Sequence, residues 1–70
     1  MIVQYDKGLY SEMAIRQAIK DYSSFADIEL TDSADSFVCV FNRSDYSMEK
    51  TILEFSNYVL TLSVMSEKTL

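Results

Sequence analysis

Proline and histidine are absent from this 70-residue sequence, and glycine and cysteine occur once each. Each absence closes off a class of chemistry. A lone Cys39 forms no internal disulfide, and without histidine it has no imidazole partner for a zinc site and no histidine base to activate it as a nucleophile. With no proline and one glycine there is no flexible linker and no glycine-rich loop to cradle a phosphate. No run approaches 18 apolar residues, and MIVQYDKG has no basic segment leading into an apolar one, so neither a spanning helix nor a secretory signal is expected. A lone thiol fits a reducing compartment, and the expected location is cytoplasmic. The net charge of −5, with acidic residues spread from Asp6 to Glu67, repels a nucleic-acid backbone.

Half of the residues, 49%, are hydrophobic, too many for a disordered acidic tail. A chain of this length forms one domain, residues 1–70, and buries only about 60% of its surface on folding. Domains of this size are commonly reinforced by disulfides, a metal or association with a partner. Association is what these residues leave, and a homodimer is expected.

Ile2 to Tyr5 reads as a strand that ends in the turn Asp6-Lys7-Gly8, with Gly8 supplying unusual backbone angles. In YSEMAIRQAIKDYSS, Ser11 is a suitable N-cap, Glu12 suits the first turn, and Ala14, Ile15, Ala18, Ile19 and Tyr22 recur at helical spacing. That predicts an amphipathic helix ending near Ser23. Phe25 to Thr31 alternates, with Ala26, Ile28 and Leu30 facing in and Asp27 and Glu29 facing water, so it is a half-buried strand. After the turn residues 32–35 comes SFVCVFN, residues 36–42. As a strand it points Phe37, Cys39 and Phe41 to one face and Val38 and Val40 to the other, and both faces ask for cover.

Residues 48 onward fit two periods. Met48, Ile52, Phe55, Val59 and Leu62 step as a helix behind Ser47, while Tyr58, Leu60, Leu62 and Val64 alternate as a strand would. One long helix is favoured, since no glycine or proline interrupts it. Leu53, Leu60 and Val64 widen its apolar stripe beyond what a small sheet covers. The fold class expected is α+β, in the order β-α-β-β-α, with the third strand central in a three-stranded sheet and both helices on one face. Val38, Val40, Phe55, Tyr58 and Leu62 are then the candidate partner contacts. An uncovered central sheet face calls for a partner, and an extended peptide is expected at a sheet edge, Ile2 to Tyr5 or Phe25 to Thr31, rather than at the acidic turn.

No catalytic, cofactor or metal site is expected. Asp27 and Glu29 read as solvent-facing residues of an amphipathic strand. The DSADS turn lacks the internal glycine and the bidentate glutamate of a calcium loop. Tyr10 and Tyr46, each just before a helix cap, read as hydrophobic staples rather than parts of an aromatic cage. A thiol-dependent enzyme would need Cys39 to be reactive.

LYSEMAIRQAIKDYSS, a hairpin, and then EFSNYVLTLSVMSEKT together resemble the HxsD-like proteins, the small D component of His-Xaa-Ser peptide-maturation systems. The likeness rests on Tyr10, Ser11, Ala14, Ile15 and Ala18 at the first helix and on Phe55, Asn57 and Leu60 in the second. Family members continue into an Arg-containing helical stretch after a Glu-x-Thr segment; here the sequence runs to Glu67-Lys68-Thr69-Leu70. The resemblance implies a non-catalytic accessory protein that works beside a radical SAM enzyme on a ribosomally made precursor peptide. It carries over no catalytic residue and no cofactor. The alternative is a structural or regulatory homodimer with no peptide ligand.

Overall fold

In the computed structural model the chain is described from residue 1 to residue 68, with side chains as far as Met65. Strand β1 (Ile2–Asp6) is followed by helix α1 (Glu12–Tyr22), strands β2 (Ala26–Asp32) and β3 (Ser36–Ser44), and helix α2 (Met48–Lys68). The sheet order is β1-β3-β2, with β3 antiparallel to both neighbours. The expected order of elements and the central place of the third strand are both realised.

Local chemistry accounts for the first half. Ser11 caps α1, its Oγ accepting the Ala14 amide at 2.9 Å, while Arg16 pairs with Glu12 one turn earlier. Gly8 does not supply a positive φ, for no described residue has one. Its contribution is space. The Gly8 amide donates to Asp6 Oδ1 at 2.6 Å, and a Cβ at Gly8 would sit 3.1 Å from that oxygen. Tyr10 packs edge-on against Tyr5 and Tyr46 against Phe25, so both tyrosines tie a pre-helix turn to the sheet side of the molecule.

Pairing sets the register. Val3 lies opposite Cys39 and Tyr5 opposite Phe37, and across β3 Leu30 faces Cys39 and Ile28 faces Phe41. These side chains fill the space under the helices together with Ile15, Ala18, Phe55 and Val59. A bulge then intervenes: Ile28 pairs with Phe41 but Asp27 with Arg43, which leaves Asn42 as an extra residue in β3. It puts Arg43 in solvent and brings Ser44 back toward α2, where Ser44 and Thr51 hydroxyls meet at 2.6 Å.

Helix α2 is continuous through Lys68, so residues 58–64 do not leave it as a strand. Three hydroxyls pin it. Thr51 bonds to Ser44 of β3, Ser56 to the Tyr5 hydroxyl of β1 at 2.8 Å, and Ser63 Oγ accepts the Ser11 amide at the start of α1 at 3.0 Å. Ser56 and Ser63 each donate their own proton to the carbonyl one turn back, Ile52 and Val59. The Tyr5 hydroxyl is therefore the donor to Ser56. Among the described residues the buried polar side chains Thr51 and Ser63 both have partners, which matters because an unpaired buried hydroxyl costs about 1–3 kcal/mol.

Candidate interaction site

The five candidate contact residues divide among three environments. Val38 and Val40 project from the sheet face opposite the helices and are half-buried there. Tyr58 and Leu62 are half-buried on α2, Tyr58 stacked at a tilt on Tyr22 with its hydroxyl donating to Asp21 of α1. The Asp21 carboxylate raises the Tyr58 hydroxyl above its ordinary range, since ionisation would forfeit that bond. Phe55 is 0% exposed and makes no surface. Its ring meets Phe41 at 5.3 Å and Tyr22 at 5.4 Å, edge to face in both cases, so it belongs to the core and the expectation that it touches a partner is corrected.

The open sheet face is built by cross-strand rows. Ile2, Val40 and Glu29 stand side by side in one row, and Gln4, Val38 and Thr31 in the next. Ile2, 67% exposed, extends the valine centre to the edge of the sheet. It belongs to the edge segment Ile2 to Tyr5 expected to take a peptide, but is not one of the five candidate contact side chains, although its place in the alternation of β1 marks it as the outward residue beside Val3. Asp27, Glu29 and Asp6 are exposed around this apolar row.

At the β1 edge the backbone itself is available. Met1 and Phe41 exchange both main-chain bonds, at 3.0 and 2.7 Å, and the Lys7 amide reaches the Asp35 carbonyl. In an antiparallel ladder bonded and non-bonded pairs alternate, so Val3 and Tyr5 point their amides and carbonyls at β3. Ile2 and Gln4 point theirs outward, along an edge with no proline in the strand, while the Asp6 carbonyl is taken by the Leu9 and Tyr10 amides at 3.1 and 3.0 Å.

Cys39 is 0% exposed, and burial pushes its thiol up to about 11. The thiolate is the reactive form, and burial disfavours it here. Among the described residues no three cysteine, aspartate or glutamate side chains stand where they could share a metal ion. No described helix is long and apolar enough to cross a membrane. In the folded protein Cys39 is expected to react with iodoacetamide at least about a hundredfold more slowly than in urea-unfolded protein. Equal rates would revive a thiol-based activity.

Fold and surface together define a two-layer α+β unit, with two helices packed on one face of a three-stranded sheet and the other face left open. No protein family, no curated protein and no solved structure matches the chain.

Proposed function

We propose that the protein is a non-catalytic binding module that takes up an extended peptide along β1, next to the open sheet face. The observation behind this is the pair of outward-facing main-chain positions at Ile2 and Gln4 beside the exposed side chain of Ile2 and the half-buried Val38 and Val40. Strand addition of this kind draws affinity from backbone hydrogen bonds and specificity from alternate side chains. The net charge of −5 and the carboxylates Asp6, Asp27 and Glu29 favour a peptide with basic residues among apolar ones. The resemblance to HxsD-like proteins assigns such a peptide to a ribosomally made precursor and the chemistry to a radical SAM enzyme alongside. The module itself would hold and present.

Titrating isotope-labelled protein with a short synthetic peptide alternating lysine and valine tests the reading. Amide shifts are expected at Ile2 to Asp6 and at Val38 and Val40, weakening as salt is added. Shifts confined to Asp32 to Asp35 would reject it in favour of binding at the acidic turn.

A further inference from the structure

The two helices treat solvent differently. Outward from the sheet α1 presents Arg16, Gln17, Lys20 and Asp21, the polar back of an amphipathic helix. Opposite its core residues Phe55 and Val59, α2 presents Leu53, Asn57, Leu60 and Val64, spaced by four, three and four. Leu53 is 62% exposed, Leu60 39% and Val64 43%. Leu60 and Val64, with Thr61 and Met65, line a shallow hollow of about 380 Å³. A 4-3-4 spacing on the outer side of a helix, apolar at all positions but Asn57, is the seam that a second helix fills, with side chains of each entering gaps in the other. The sheet and α1 together cover the Phe55 and Val59 side of α2 and leave this second apolar stripe without a neighbour.

We propose that this stripe is the contact between two copies of the chain, packed α2 against α2 about a two-fold axis near Asn57. Two features argue for a second copy rather than a foreign helix. The first is self-complementarity. A carboxamide has both an acceptor oxygen and an N–H donor, so two Asn57 side chains facing each other across a two-fold axis satisfy each other reciprocally, in the midst of leucines that would otherwise strand a polar group. A single asparagine in such a seam is a known device for fixing register and oligomeric state. The second is area. A helix rises about 1.5 Å per residue, so Lys50 to Met65 spans roughly 24 Å and offers on the order of 500 Å² of accessible surface per copy. Doubled by symmetry, this reaches the roughly 1,000 Å² at which specific interfaces begin. The contact is independent of peptide uptake, because α2 and the open sheet face lie on opposite sides of the molecule.

Sedimentation of the whole chain between about 1 and 100 micromolar is expected to pass from monomer to dimer, with thermal stability rising over the same range. Leu53→Glu should weaken the dimer at least about a hundredfold while far-ultraviolet circular dichroism stays unchanged, because that side chain lies outside the core. Asn57→Cys keeps the fold and should give a disulfide-linked dimer within minutes of mild oxidation, with buried Cys39 not competing. Ile2→Cys, on the far face, should not cross-link. A wild-type chain that stays monomeric throughout overturns the proposal. So does a dimer that survives Leu53→Glu, or one cross-linked through Ile2→Cys but not Asn57→Cys, which would place the contact on the open sheet face.

Discussion

Phe55→Ala is expected to leave the chain largely unfolded at room temperature. The ring is wholly buried, edge to face with Phe41 and Tyr22 and tilted against Tyr5 at 6.1 Å, so it joins β1, β3 and α1 to α2 at one point. Removing a buried phenylalanine costs about 3–5 kcal/mol, from lost burial and from the cavity left behind. A core in a chain of this length supplies net stability of about the same size, so nothing is left in reserve. Phe55→Leu retains most of the hydrocarbon and should still fold. Urea denaturation followed by circular dichroism would measure both variants. A shift in melting temperature of less than about 5 °C for Phe55→Ala would show that the core does not centre on this ring.

A second large effect is expected on the alkaline side. Burial pushes the Tyr5 hydroxyl up to about 12 from an ordinary value of 10.0, and burial pushes Cys39 up to about 11 from 9.0. Both groups are neutral when protonated, and both hold the proton more tightly folded than unfolded. Their contribution is therefore complete below about pH 9 and is lost as pH rises toward 12, first through Cys39 and then through Tyr5. A rise of this size is worth at most about 2.7 kcal/mol per group. Because the Tyr5–Ser56 bond is only partly buried, on the order of 2–4 kcal/mol for the two together is the realistic loss. Urea midpoints taken from about pH 8 to pH 12 should fall, with Cys39→Ala flattening the lower part of the fall and Tyr5→Phe the upper. If both variants track the wild type across the range, these groups are not the cause.

Helix α1 and strand β2 are legible in the sequence because their determinants are local. A serine cap with an acidic first turn, and an alternation that separates Ala26, Ile28 and Leu30 from Asp27 and Glu29, need no distant partner to be read. The bulge at Asn42 is not legible there. SFVCVFNRS carries no glycine or other break at that point, and the extra residue is defined only by the register of β2 alongside it. Phe55 is misplaced by sequence reasoning for a related cause. Along α2 both Phe55 with Val59 and Leu53 with Leu60 make apolar stripes of helical period, and periodicity identifies stripes without saying which one meets the sheet.

Composition and local pattern thus settle the kind and order of the elements as far as the start of α2, and the alternation that makes SFVCVFN a strand with two apolar faces. Covering one of those faces and leaving the other open is decided by packing. Thr51, Ser56 and Ser63 find Ser44, Tyr5 and Ser11 only if α2 stays helical through residues 58–64 and lies across the Phe37, Cys39 and Phe41 side of the sheet. Those partners lie 7, 51 and 52 residues away along the chain. Two of the three contacts are long-range, and a window of neighbouring residues contains no sign of them. The same docking turns Phe55 inward and leaves Leu53, Leu60 and Val64 outside, because the sheet and α1 both lie on the Phe55 side of the helix and cover only that side.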